Sequence, residues 1–239
     1  MILKTRLLGK TYAFRDIKDA LAKANEDKTG DRLAGLAAET AQERVAAKVV
    51  VASLLLSDLR EHPAVPYEED EVTRIIQDDV NEPQYTKIRN WTVSDLREWI
   101  LDEKTTGADI RRLSRGLTSE MVAAVAKLMS NLDLIYAAQK IRITAHCNTT
   151  IGLPGTLSCR LQPNHTTDDP NGIIASVMEG LSLGCGDAVI GLNPVDDSVE
   201  SVARILKMFD EFKRKWEVPT QICVLAHVTT QTEAANKFG

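Results

Sequence analysis

Cysteine is scarce and scattered: Cys147, Cys159, Cys185 and Cys223 form no CxxC pair. That argues against both a disulfide framework and a zinc knuckle, and fits reduced thiols. Aromatics make up only 5% of the 239 residues, and charges interrupt every apolar run long before membrane-spanning length. Long Lys/Arg clusters are absent and the net charge is −5, so neither nucleic acid nor an anionic membrane is expected as partner. The opening Met1-Ile2-Leu3-Lys4-Thr5-Arg6 lacks the apolar stretch of a signal peptide. A cytoplasmic protein is expected. What the chain does have is 44% hydrophobic residues, enough for a sizeable core.

Glycine divides the chain. Five of thirteen fall before residue 150 and eight after it. The earlier part reads as mostly helical. Thr118 is a candidate N-cap, and Val122, Val125, Met129, Leu132 and Tyr136 recur at three- and four-residue steps, which predicts one helix over 118–139. Similar stripes run through Ile17/Leu21/Ala24, Val45/Val49/Ala52/Leu56 and Val93/Leu96/Ile100. Trp91 and Trp99, eight residues apart, read as packing on one helical face, and the acidic run Glu68-Glu69-Asp70-Glu71 as solvated helix ends.

After Asn148 short apolar runs are each followed by a turn and a helix start. Thr156–Leu161 is read as a strand, then Asp169 as N-cap with Pro170 at the first helical position. Ala188–Leu192 precedes Asp197 and Glu200, and Ile222–Ala226 precedes Thr230 and Glu233, both pairs in capping-box spacing. Three strand–loop–helix units imply parallel strands covered by helices. No GxGxxG follows a strand, which weakens a dinucleotide-binding reading. Open doubly wound sheets and closed barrels both fit this pattern; the fold class expected is α/β, a helical region over 1–147 and then, if the sheet is a barrel, the first three βα units of a (β/α)8 barrel over 148–239. The third helix has barely begun when the chain stops at Gly239, which reads as a truncated barrel and a fragment.

In such architectures chemistry collects at the C-terminal ends of strands. Arg160, Gln162, Asn164 and His165 follow the first strand, Asn193, Pro194 and Asp196 the second, and His227 and Thr229 the third. Arg160 stands out, because an arginine between Cys159 and Leu161 is expected to be buried and a buried guanidinium demands acceptors. It reads either as a fork for a ligand oxygen or as half of an internal ion pair. Gln162 lies on the same side by period-two alternation. Asn193-Pro194 reads as a substrate-orienting pair or a plain turn, and His227 as a general base or a hydrogen-bonded structural residue. His146, Cys147, Cys159 and His165 match no common zinc spacing, and no metal is expected. No serine or cysteine has an evident base, so a hydrolytic triad finds no support.

These residues sit in longer stretches that resemble the large subunit of ethanolamine ammonia-lyase along the whole chain. The carriers are Ala41–Lys48, Leu117–Glu120, Asn148–Gly152 with Pro154–Thr156, Arg160-Leu161-Gln162-Pro163-Asn164, Gly186–Gly191 with Asn193-Pro194, and Val224–Gln231. The resemblance implies an adenosylcobalamin-dependent radical conversion of ethanolamine to acetaldehyde and ammonia. It implies that Arg160, Gln162 and Asn193 contact substrate and that Pro194 borders the cobalamin. It further implies a hetero-oligomer with a small subunit, sometimes inside a bacterial microcompartment. The acidic residues that hold the substrate amine in that family lie on later strands, beyond Gly239, so the piece alone is expected to be inactive. The other readings are a noncatalytic helical assembly module and a barrel lyase without cobalamin.

Overall fold

The computed structural model describes residues 2–239 and divides into two compact units, Met1–Arg142 and Ile143–Gly239. The first unit opens on an antiparallel hairpin, β1 (Leu3–Leu7) and β2 (Lys10–Phe14). Ten helices follow: α1 (Ile17–Lys23), α2 (Thr29–Leu33), α3 (Ala41–Ser53), α4 (Leu56–Glu61), α5 (Glu71–Asp78), α6 (Glu82–Ile88), α7 (Val93–Leu101), α8 (Gly107–Ser114), α9 (Ser119–Leu128) and α10 (Asn131–Lys140). The hairpin is an addition to the mostly helical reading. Its loop is Leu8-Gly9, both at positive φ (48° and 80°), as a two-residue turn matched to strand twist requires.

The helix expected over 118–139 is two helices. Met129 and Ser130 are extended, and Ser130 starts α10 afresh. Its hydroxyl accepts the Asp133 N–H at 3.2 Å while the Asp133 carboxylate accepts the Ser130 N–H at 2.9 Å. Arg97 Nη2 donates to the same carboxylate at 2.7 Å. One reciprocal capping box therefore overrides a continuous apolar stripe. Val122 and Leu132 of the stripe are exposed, whereas Val125 is buried as read, with Met121 and Ala124 beside it.

The stripe read in α3 is also corrected. Val45 and Val49 face solvent, whereas Ala46, Ala47, Val50 and Val51 are buried. Small alanines let α1, α7 and α9 approach α3 closely, so this face forms the centre of the first core, with Phe14, Leu56, Leu59, Ile88 and Leu96 around it. Trp91 and Trp99 pack against that core with ring centroids 5.9 Å apart, although Trp91 precedes α7. Asp70 caps α5, in keeping with the helix-end reading of the acidic run.

The second unit begins with a short antiparallel pair, β3 (Ala145–His146) and β4 (Thr150–Ile151). Then β5 (Arg160–Leu161), α11 (Pro170–Ser182), β6 (Val189–Leu192), α12 (Val199–Lys215), β7 (Ile222–Val224) and α13 (Val228–Phe238) alternate. The strands β5-β6-β7 form one parallel sheet in that order. The chain is thus mixed helix and strand, and no closed barrel is present among the described residues. Strands are shorter than expected: only Arg160–Leu161 of the run 156–161 is paired, and β7 ends at Val224. Asp169 caps α11 as expected, accepting the Gly172 N–H at 2.7 Å. Ser198, not Asp197, caps α12, and His227, not Thr230, caps α13, which is a full helix of 11 residues.

Leu161, Ile190, Leu192, Ile222 and Val224 lie on the helix-covered face of this sheet. They pack with Ile173, Val177, Val202, Ile205 and Phe209 of α11 and α12 to form the second core. Beneath the strand starts, the Gln221 side chain ties the segment between β3 and β4. Its oxygen accepts the Asn148 and Thr149 N–H groups at 3.1 and 3.4 Å, and its nitrogen donates to Thr149 Oγ1 at 2.8 Å and to the Ala188 carbonyl. Asn148 Nδ2 donates to the Thr220 carbonyl at 2.9 Å.

Candidate functional site

Register fixes what shares the other face of the parallel sheet. Arg160 pairs with Val189 and Gly191 pairs with Cys223, so by period-two alternation these four side-chain positions point away from the helices. Gly191 is where the sheet makes room. A Cβ there would meet Cys223 Sγ at 2.6 Å and Arg160 Nη2 at 2.7 Å. The guanidinium therefore lies across the glycine, with Nη2 3.9 Å from Cys223 Sγ.

Arg160 is exposed, which corrects the expectation of burial. Leu161 faces the helices, Cys159 precedes the paired segment and is exposed, and Arg160 falls on the opposite face of the sheet, on which no helix of the second unit packs among the described residues. It has no carboxylate partner among the described residues, so the internal-ion-pair reading is not what this geometry holds.

The loops at the strand ends are joined through backbone donors. The Asn164 N–H donates to the Gln162 carbonyl at 2.9 Å, and Asn164 Oδ1 accepts the Asn193 N–H at 2.9 Å. Asp168 Oδ2 accepts the Val195 and Asp196 N–H groups at 2.8 and 3.0 Å. Gln162 and Asn193 are exposed and Pro194 is half-buried. The Arg160, Gln162 and Asn193 side chains are not hydrogen-bonded to each other among the described residues. The loop after β5 thus holds the loop after β6 in place, while the side-chain amides of Gln162 and Asn193 stay unengaged.

Asp168 and Gly191 were missed by sequence reasoning. Asp168 hides in Thr166-Thr167-Asp168-Asp169-Pro170, where Asp169 already accounts for the helix start. Gly191 reads as one residue of an apolar strand, although an isolated glycine in a strand signals a close approach, here by Arg160. His227 is exposed and its Nδ1 contacts Thr229 Oγ1 at 2.7 Å and accepts the Thr229 N–H at 3.3 Å. It serves as the N-cap of α13. His165 likewise spends Nδ1 on the Thr167 and Asp169 N–H groups, both at 3.3 Å.

At the opposite, N-terminal end of the strands, Asp187 accepts the Cys159 N–H at 2.7 Å. That hydrogen bond holds its carboxyl below the usual range. No helix among the described residues is long and apolar enough to cross a membrane.

The family profile "Ethanolamine ammonia lyase large subunit (EutB)" matches residues 12–238. The ethanolamine ammonia-lyase large subunit of Salmonella typhimurium (strain LT2) is 56% identical over 237 residues, covering 99% of this chain and 52% of the relative. That of Escherichia coli (strain K12) is 55% identical over the same coverage. The chain spans about half the length of these curated relatives. With nearly every residue aligned at that identity, the chain belongs to the ethanolamine ammonia-lyase large-subunit family.

Proposed function

We propose that this chain supplies one sector of the active-site rim of an adenosylcobalamin-dependent ammonia-lyase that converts ethanolamine to acetaldehyde and ammonia. On this reading β5, β6 and β7 are the first three strands of an eightfold barrel, preceded by a helical region. The helix-free face of the sheet is the barrel interior. The observation that carries the proposal is the Arg160 guanidinium laid across Gly191 on that face, with its donors not taken by any carboxylate.

Arg160 and Gln162 bind the substrate oxygen. A planar fork of N–H donors and a neighbouring amide stabilise that oxygen as it gains carbonyl character. Asn193 orients the small polar substrate from the adjacent strand end. Pro194 borders the cofactor, and the exposed apolar Val195 beside it extends a surface suited to the edge of a large macrocycle. When bound, adenosylcobalamin supplies the radical chemistry; the chain's residues bind, orient and exclude water. The groups that hold the substrate amine lie outside this chain, so the 239 residues alone are inactive. A small subunit completes a hetero-oligomer, located in the cytoplasm or in a bacterial microcompartment.

The test is Arg160→Lys in the full-length enzyme assembled with its partner subunit. Charge is retained and the planar fork is lost, so turnover falls by about 10²-fold or more. Unchanged kcat and KM would remove Arg160 from the site.

A further inference from the structure

The turn Asn193-Pro194-Val195-Asp196 has three backbone N–H groups, since proline has none. All three are taken by side-chain oxygens of the loop after β5. Asn164 Oδ1 holds Asn193, and Asp168 Oδ2 holds both Val195 and Asp196. The turn is gripped on either side of Pro194 by a neighbouring loop and not by its own residues.

Asp168 occupies its post at two costs. Its φ is +51°, in the left-handed region that L residues other than Asn and Asp seldom adopt. It is also 4% exposed, and its second carboxylate oxygen, Oδ1, is buried with no hydrogen-bond partner among the described residues. A left-handed backbone, which Asp tolerates better than most residues, restricts what can stand at this position, and a half-satisfied buried carboxylate is an unfavourable feature that persists where the surrounding structure requires it. What Asp168 returns is the pair of hydrogen bonds to the far side of the turn.

We propose that Asp168 is a positioning residue: through Val195 and Asp196 it sets the Asn193-Pro194 turn in the orientation that presents Asn193 to substrate and Pro194 to the cofactor. This rests on the role given to Asn193 and Pro194 above. A purely structural role, as a brace for the approach to α12, would affect stability without affecting the chemical step. Positioning errors of about 1 Å weigh on turnover by up to about 10²-fold.

The experiment uses the full-length lyase assembled with its partner subunit. Asp168→Gly removes both hydrogen bonds and relieves the positive φ, so loss of the grip is separated from loss of the fold. Its Val195 and Asp196 amides are expected to exchange with deuterium at least about tenfold faster, with kcat lowered about 10- to 100-fold. Asp168→Asn keeps one oxygen for the same two amides and tolerates the same φ, so it restores amide protection and most of kcat. Asn164→Ala frees the Asn193 N–H from an exposed side chain and gives a second reading of the same effect should the glycine variant be unstable.

Unchanged protection of Val195 and Asp196 in Asp168→Gly, or faster exchange with unchanged kcat, overturns the proposal. So does an Asn variant as impaired as the Gly variant. Asn193→Ala distinguishes the two layers. If it leaves kcat and KM intact, the substrate role of Asn193 falls, while the amide exchange still reports on the grip itself.

Discussion

Gly191 has no room for a methyl group. Its missing side chain is flanked by a thiol on β7 and a guanidinium from β5, and only the guanidinium is at the end of a long flexible chain. Gly191→Ala should therefore move Arg160 aside and strain the β6–β7 pair at Cys223. A loss of about 1–3 kcal/mol is expected for overpacking of this kind, read as a lowered urea midpoint. Adding Cys223→Ala recovers part of that stability. It does not recover turnover in the full-length enzyme, because Arg160 stays displaced. Equal recovery of both would mean that Gly191 serves packing alone.

At the scale of elements, the first hairpin carries a correctable flaw. Leu8 is 88% exposed at φ 48°, a conformation that asparagine accepts and a branched apolar side chain does not favour. Leu8→Asn is expected to stabilise the first unit by about 0.5–1 kcal/mol, seen as a rise in the thermal midpoint. Ser130→Ala, which removes the acceptor at the start of α10, is expected to cost about 1 kcal/mol by the same measurement.

These elements also mark what could be read from the residues. The Thr118 cap and the Asp169-Pro170 start were legible because a capping side chain at fixed spacing is a local signal. The three parallel strands were legible from apolar runs spaced about thirty residues apart. The break at Met129-Ser130 was hidden by a periodic stripe that continues through it, although Ser130 and Asp133 carry the capping-box spacing. The hairpin was hidden because Leu-Gly is a weak turn signal beside Asn-Gly. In the site, Arg160 was singled out on the right strand but expected to be buried, whereas it is exposed. Burial depends on which side the helices cover, and no pattern within two paired residues states that.

For the molecule as a whole, several carboxyls are held below their ordinary values by the backbone they cap. Asp95 takes the Thr92 N–H, Asp109 the Thr106 hydroxyl and N–H, Asp133 the Ser130 N–H with Arg97 beside it, and Asp187 the Cys159 N–H. A folded value below the unfolded one means stabilisation that is complete above the unfolded value, near about 4, and is lost as pH falls through the lower folded values. The thermal midpoint should hold steady between about pH 7 and pH 5 as far as these groups are concerned, then drop below about pH 4. Asp187→Asn should lower the neutral-pH midpoint and shallow the acid decline. An acid profile identical to that of the parent would exclude Asp187 as a contributor.

The Gln221 tie has a consequence for how the second unit comes together in a cell. Its amide joins residues separated by 72 positions, so the floor under the strands is a late, non-local closure. On a ribosome adding about 5–20 residues per second, the Asn148–Thr149 segment waits roughly 4–14 s for its partner to be made. Throughout that interval its polar backbone is satisfied by water or by a chaperone, and the nascent β5 remains without its foundation.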